Sequence, residues 1–334
     1  MINVKFIKSE SAKAGEMMQL HNWAQADIIY TRLYNILQLG SNGLHSSKGC
    51  FSNVFSGLTP NDVLGILYNK VTCNLNNCDS EQAIRTIGVY KKIERDFGIS
   101  NSILDTNIDY NEIVAYRRLG KYSKALSLCD KMLAKELNSY VKVKVLITKG
   151  SLETDESRQI FGINSLSLAL AEAEANGTTA LIAECYIEIN KMIGTHYPSL
   201  GLSFLWKALI LYETEHDNGK ISLTKSRMAL TYFLLWHQKK DDRFIDEARR
   251  LVNNEIKRED FAHPGAQYAF DRTKGLITNN VSLLEKSIDF FEGIHAYGEI
   301  FITAELLIKT YLDLGNVEEA KKKCCAFRTS SFGN

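Results

Sequence analysis

The chain has 334 residues, of which 45% are hydrophobic and 24% are charged, the composition of an ordinary globular protein. Its 40 basic and 39 acidic residues nearly cancel, so charge gives no support for binding to nucleic acid. No run of about 18 apolar residues predicts a membrane helix, and the first residues, MINVKFIKSES, lack the apolar core of a secretory signal, so we expect a cytoplasmic protein that binds no membrane.

Local signals along the chain predict many helices. Only three prolines occur, and this scarcity permits long helices. Asn22, Thr59 and Asp79 stand where N-cap residues are expected, and a proline follows Thr59 at the first helical position. Predicted helix ends are marked by Gly40, Gly98, Gly177 and the pair Asn218-Gly219.

A nine-residue phrase recurs along the chain. Its clearest copy, ALSLCDKML, begins with the small residue Ala125, and apolar residues follow at steps of three and four. Residues at these steps lie on one face of a helix, and we expect the small residue to let another helix approach. The 294 residues from the first copy to the last form seven intervals with a mean of 42, which indicates a solenoid of repeats. The copies begin at Ala26, Ala83, Ala125, Gly162, Gly201, Ala248, Ser287 and Ala320.

A second small or apolar position lies twelve residues before most copies and predicts a partner helix. Turn residues separate the two positions, as at Gly120 and Gly315. Helix, short turn and helix together form an αα-hairpin. Trp236 interrupts the pattern before the sixth copy. The alternating stretch from Val141 to Val145 lies where the partner helix of the fourth copy is expected, so we predict it to be helical.

These hairpins resemble the repeats of the tetratricopeptide repeat (TPR) family over most of residues 7–328. Tyr116 and Tyr311 match the aromatic residue of the family's first helix, and Trp23 and Tyr122 match that of its second helix. The intervals are longer than in the usual TPR, and the proline that commonly closes each repeat is missing. The resemblance implies an all-α fold, a right-handed α-solenoid of about eight TPR-like helix-turn-helix repeats, in a single domain over 1–334.

The phrase and its partner helix together set the predicted bounds of the repeats. The glycine- and serine-rich stretch 40–59 is predicted as a loop, with disorder favoured over a docked helical turn. The tail 329–334 is predicted to be frayed. The repeats are expected near 7–40, 60–98, 104–137, 140–177, 179–216, 219–256, 264–295 and 297–328.

The resemblance also implies the kind of partner. In the TPR family, the first helix of each repeat lines a concave surface that binds a peptide or protein segment. Lysine and asparagine do not recur where the family's clamp for chaperone carboxylates needs them, so we expect no such clamp. The alternative is that residues at these places are simply solvated helix faces. The partner-binding residues implied on the concave face are Tyr110, Val114, Arg117, Tyr186, Asn190, Arg272, Glu305 and Lys309.

Motifs for catalysis or metal binding do not occur in the sequence. There is no GxxxxGK[ST], GxGxxG, GxSxG or HExxH. Cys73 and Cys78 lack the second ligand pair of a zinc site. Cys129 and Cys324 fall on apolar positions of the phrase, where we expect small core residues. We therefore expect no catalytic residue, no metal and no cofactor.

Three functional hypotheses follow. The favoured one is a non-enzymatic adaptor or scaffold that binds a protein or peptide through its concave face. The alternative is a regulator that responds to a peptide or small ligand and acts on an effector in trans. An enzyme with an unrecognised site is the third. A homodimer is also left open, because Phe204 and Trp206 fall in one phrase where one aromatic residue is expected to be buried and the other exposed.

Overall fold

The computed structural model describes residues 4–42, 57–155, 159–294 and 296–331. Within these ranges every regular element is a helix, which confirms the all-α prediction. The chain divides into two compact units, Met1–Leu128 and Cys129–Asn334. The assignment of the whole chain to a single domain stays a prediction.

The helices of the described residues pair in chain order into eight hairpins, in agreement with the predicted fold of about eight TPR-like repeats. The first three hairpins are α1 (Val4–Gln19) with α2 (Trp23–Asn42), α3 (Pro60–Asn76) with α4 (Ser80–Phe97), and α5 (Ser102–Arg118) with α6 (Tyr122–Leu133). The next three are α7 (Ser139–Asp155) with α8 (Gln159–Ala175), α9 (Thr179–Ile193) with α10 (Pro198–Thr214), and α11 (Asn218–Lys239) with α12 (Asp242–Arg250). The last two are α13 (Pro264–Ile277) with α14 (Val281–Gly293), and α15 (Tyr297–Asp313) with α16 (Val317–Ser331).

The small residue that begins each phrase lies in a helix contact. All eight of these residues are buried, from Ala26 to Ala320. In the fourth hairpin, a Cβ atom added at Gly162 would lie only 2.8 Å from the carbonyl oxygen of Gly150 on the partner helix. The recurring spacing therefore reflects the close approach of paired helices. The stretch from Val141 to Val145 lies within α7 and is helical, as predicted.

Predicted caps are present at the starts of α3 and α4. The hydroxyl of Thr59 accepts a hydrogen bond from the Asp62 N–H at 3.1 Å, and the Asp62 carboxylate accepts one from the Thr59 N–H at 2.8 Å. These reciprocal bonds form a capping box. The Asp79 carboxylate accepts a hydrogen bond from the Gln82 N–H at 2.9 Å. Each cap satisfies a backbone donor that the helix leaves unpaired.

Two predicted helix ends are wrong. Gly40 lies inside α2, which continues to its end at residue 42. The pair Asn218-Gly219 begins α11 instead of ending α10, because the carboxylate of Asp217 caps that helix. The chain reverses at His216, the residue before Asp217, which adopts the left-handed backbone conformation with φ 56°.

Residues in the left-handed backbone conformation make many of the turns. Glycine adopts this conformation at no steric cost, and Gly98 and Gly177 are confirmed at helix ends. Gly120 and Gly315 adopt it in the turns of the third and eighth hairpins. Among the described residues, five with a side chain adopt it as well: His21, Cys78, His216, Lys240 and Asn279.

The core of the first unit contains an ion pair. The Lys70 side chain on α3 is only 3% exposed. Its ammonium group lies 2.7 Å from a carboxylate oxygen of Asp27 on α2, and it donates to the hydroxyl of Thr31 at 2.7 Å. A buried ammonium group needs such partners because it has lost its hydration.

Three further predictions concern single segments. Cys129 is buried as expected, whereas the prediction of a buried Cys324 is wrong: this residue is exposed, because no described helix follows α16 to cover it. Most of the predicted loop 40–59 lies outside the described residues, and α2 occupies its first three positions. Helix α16 reaches Ser331, beyond the predicted start of the frayed tail, and the remaining tail lies outside the described residues.

Candidate functional site

Four charged side chains in the second unit come from the first helices of four successive hairpins. They are Lys191 on α9, Arg227 on α11, Arg272 on α13 and Glu299 on α15. We call this group the polar cluster. Its centre is Glu299, because the other three side chains are all close enough to lower the pKa of its carboxyl group.

The ion pair between Arg272 and Glu299 has a defined geometry. A guanidinium nitrogen of Arg272 lies 2.5 Å from a carboxylate oxygen of Glu299 and donates to the hydroxyl of Thr303 at 3.3 Å. The Arg272 side chain is only 15% exposed, and its guanidinium carbon lies 5.7 Å from the ring centroid of Phe291. The arginine is therefore held in place by packing and by two oxygen acceptors.

The carboxyl group of Glu299 lies in an enclosed but accessible position. Burial by surrounding protein raises its pKa, but Arg272, followed by Arg227 and Lys191, outweighs this effect and makes the pKa lower than usual. The side chain is nonetheless 46% exposed. A side chain that is surrounded by protein and still reached by solvent is typical of a concave surface.

A second group of side chains joins α11 to α15. The ammonium group of Lys309 lies 5.8 Å from the ring centroid of Phe233. His237 packs edge-on against the same ring at 4.5 Å. Burial, then Lys309 and Lys240, lower the pKa of His237, so its imidazole is neutral near pH 7. Its Nε2 atom is buried and makes no hydrogen bond within the described structure.

On α9, the polar side chains that face neighbouring first helices are spaced four and three residues apart in the sequence. Glu184 accepts from Lys220 on α11 at 2.8 Å, and Glu188 accepts from Ser151 on α7 at 2.9 Å. Glu188 also pairs with Lys191 of the polar cluster. This face of α9 therefore carries Glu184, Glu188 and Lys191.

The residues predicted on α9 lie in other contacts of that helix. The ring of Tyr186 packs against Phe204 on α10, with centroids 5.8 Å apart. Asn190 is buried, and its amide nitrogen lies against Gly194 and Gly201. Each residue turns a helix by about 100°, so a difference of two positions moves a side chain to nearly the opposite face. Sequence reasoning thus missed Glu184, Glu188 and Lys191, although their steps of four and three were a usable signal.

The other predicted site residues are divided between the units. Tyr110, Val114 and Arg117 are half-buried on α5 of the first unit, so the structure does not join them to the polar cluster. On α15, Glu305 is exposed, whereas Lys309 contacts Phe233 as described. Of the predicted residues, only Arg272 belongs to the polar cluster.

The described residues contain neither a membrane-spanning helix nor a metal-binding cluster. No helix there is both long and apolar enough to cross a membrane. No group of three or more histidine, cysteine, aspartate or glutamate side chains in that part of the chain is arranged to hold a metal ion.

The fold belongs to the class of TPR-like helical-repeat proteins. No family model matches the sequence, and no curated protein matches it by sequence. Solved structures of Rap proteins are similar to it over nearly their whole length. One is a Rap protein complexed with competence and sporulation factor: its TM-score is 0.65 and its identity 12%, over 97% of both chains.

Two further Rap-like structures give similar values. The Rap conjugation gene regulator of plasmid pLS20, in complex with the Phr* peptide, has a TM-score of 0.62 and 11% identity over 98% of both chains. Aspartyl phosphate phosphatase F from Bacillus subtilis has a TM-score of 0.61 and 10% identity, over 99% of this chain and 95% of that one. At these identities the likeness shows the fold, so the chain has the helical-repeat fold of these proteins.

Proposed function

We propose that the protein is a non-enzymatic regulator that responds to a peptide. The peptide binds the second unit at the polar cluster, and the occupied protein acts on an effector protein in trans. The observation that carries this proposal is the ion pair of Arg272 with the accessible carboxylate of Glu299, whose pKa the charges of Arg227 and Lys191 lower further. A ligand at this position contacts four successive hairpins at once, so its binding energy acts on their relative arrangement.

The chemistry of the second unit suits a peptide. A peptide presents N–H donors, carbonyl acceptors and charged ends. The polar cluster offers cations and a carboxylate, and His237 adds a buried nitrogen that makes no hydrogen bond within the described structure. One of the structures with this fold holds a peptide, Phr*, which supports a peptide ligand here.

A regulator is favoured over a passive adaptor because that peptide-bound protein is described as a conjugation gene regulator. Another protein with this fold is described as an aspartyl phosphate phosphatase. We retain a non-enzymatic role for this chain, acting in the cytoplasm, and a direct test is whether the purified protein hydrolyses acetyl phosphate. Hydrolysis above the buffer rate that is lost on a single substitution contradicts the non-enzymatic part of the proposal.

Replacing Arg272 with glutamine is expected to weaken peptide binding at least about tenfold, because a hydrogen bond to a charged group contributes about 1.5 to 3 kcal/mol. The peptides are selected from a displayed random library on the wild-type protein, and their affinity is measured by titration calorimetry. The matched control is Lys274→Gln, two positions along α13, where the side chain lies on a different face of the helix. It is expected to keep wild-type affinity.

Equal affinity of the Arg272→Gln and wild-type proteins for the selected peptides contradicts binding at the polar cluster, provided that their circular dichroism melts agree. A change in small-angle scattering on peptide addition distinguishes a peptide-responsive regulator from a rigid adaptor. Affinity capture from lysate, with and without the peptide, then identifies an effector whose retention depends on it.

A further inference from the structure

Two outer helices of the second unit are poor in charge. In α8, only two of 17 residues are charged, and both lie at its C-terminal end. In α10, two of 17 are charged, Lys207 and Glu213. The other second helices of this unit differ: six of nine residues are charged in α12, four of 13 in α14 and six of 15 in α16. Low charge is therefore a property of α8 and α10 alone among these helices.

Large apolar side chains of α8 and α10 are exposed to solvent. The exposed fractions reach 74% for Ile160 and 62% for Leu168 on α8, and 57% for Ile210 on α10. Monomeric proteins rarely leave large contiguous apolar patches uncovered. We define the outer apolar face by Ile160, Phe161, Leu168, Leu200, Trp206 and Ile210.

Tyr186 on α9 links these two outer helices. Its ring contacts Phe204 on α10, with centroids 5.8 Å apart. Burial raises the pKa of its hydroxyl, and the nearby carboxylate of Glu174 on α8 raises it further. Helix α9 packs against both α8 and α10, so the exposed side chains of these two helices flank the same helix.

We propose that the outer apolar face binds a second copy of this chain, in a dimer with two-fold symmetry. In such an interface, a surface meets the same surface of the partner. A face with many charges of one sign would then meet the same charges on the partner. The outer apolar face carries almost no charged side chains. Self-association does not depend on peptide binding, so this inference goes beyond the proposed function.

The few charges on these helices fix the orientation of the proposed dimer. Glu174 and Glu213 lie at the C-terminal ends of α8 and α10. The two helices run in the same direction because each is the second helix of an antiparallel hairpin. A two-fold axis across the helices sets these acidic ends beside the N-terminal ends of the partner's helices. Negative charge is favoured at helix N-terminal ends, and the acidic ends of the two copies stay apart.

The size of the face suits a weak dimer. A helix of 17 residues is about 25 Å long and about 10 Å wide with its side chains. Two such helices present a face of roughly 500 Å², near the lower limit for a specific interface on each partner. We therefore expect dissociation in the micromolar range.

Sedimentation velocity of the full chain, from about 5 to about 500 µM, tests this inference because weak interfaces dissociate in that range. The wild-type protein is expected to change from monomer to dimer. The double variant Leu168→Glu with Ile210→Glu is expected to stay monomeric, with at least about tenfold weaker association. The matched control is Phe301→Glu on α15, which also replaces an exposed apolar residue (70% exposed) but lies outside the face. It is expected to dimerise like the wild type.

Mixing charge variants tests whether the face pairs with itself. The double variant Leu168→Glu with Ile210→Glu and the double variant Leu168→Lys with Ile210→Lys are each expected to be monomeric alone. Mixed together, they are expected to form a dimer, because opposite charges then meet across the interface. A wild-type protein that stays monomeric at every concentration overturns the proposal, and so does a dimer that persists in the double variant with an unchanged melt. Binding of monomeric protein to phosphatidylcholine vesicles through this face also overturns it and assigns the face to lipid.

Discussion

A leucine in place of Gly201 is expected to lower the free energy of unfolding by about 1 to 3 kcal/mol. Gly201 lies where α10 meets α9. Even a Cβ atom at this position would lie 2.7 Å from the amide nitrogen of Asn190 and 2.8 Å from the Cα atom of Gly194. One of these neighbours is backbone, so the strain is relieved only if the two helices move apart. Separation of the helices then exposes apolar side chains that the hairpin buries.

The same substitution at Gly88 is the matched control for this experiment. Gly88 lies within α4, and nothing lies within 4 Å of a Cβ atom added there. Leucine has a higher helix propensity than glycine, so Gly88→Leu is expected to raise stability by about 0.5 to 1 kcal/mol. Chemical denaturation followed by circular dichroism measures both changes. An unchanged midpoint for Gly201→Leu contradicts the close contact between α9 and α10.

Replacing Asp27 with alanine is expected to destabilise the first unit by about 3 kcal/mol, the lower end of the range for breaking a buried ion pair. The lower end applies because the Asp27 side chain is 28% exposed, although Lys70 is only 3% exposed. Without Asp27, the Lys70 ammonium group keeps one described acceptor, the hydroxyl of Thr31 at 2.7 Å. A single hydroxyl does not replace the lost carboxylate.

The double variant Asp27→Ala with Lys70→Met distinguishes a lost charge partner from a lost contact. Methionine is apolar and similar in length to lysine, so we expect it to recover most of the stability, since buried pairs are often replaced by apolar residues without cost. Urea denaturation of the single and double variants gives the coupling between the two sites. If Asp27→Ala costs less than about 1 kcal/mol, the Lys70 ammonium group reaches solvent instead.

The fold was predictable because its signal is local. Each phrase places a small residue and its apolar partners within nine positions, and residues such as Ala83 and Ala248 occupy the predicted helix contacts. The same information sets the number of hairpins. The errors at Gly40 and Asn218 have another origin: the residue types that end helices also occur inside them or at their starts, and the choice depends on packing elsewhere.

The candidate site was less predictable because it depends on the angular position of each side chain around its helix and on contacts between residues far apart in the sequence. A difference of two positions on α9 separates Tyr186, which packs against α10, from Glu184 and Glu188, which meet neighbouring first helices. The approach of Lys191 to Glu299 joins the fifth hairpin to the eighth, and no pattern within a single repeat encodes it. Arg272 was predicted because the TPR resemblance places it on the concave face, and arginine is a common interface anchor.

The left-handed turns bear on how proteins of this kind are recognised. A turn fixes the backbone conformation but not the residue, and here His21, Cys78 and Asn279 adopt a conformation that Gly120 and Gly315 also adopt. Such a turn therefore accepts a residue with a side chain, at a steric cost of about 1 to 2 kcal/mol, while the path of the chain is kept. A comparison of amino-acid sequences does not recognise these turns, whereas a comparison of backbone dihedral angles does. Backbone angles at the turns therefore offer a better basis for finding relatives of this chain than its residues, of which the similar structures share only 10 to 12%.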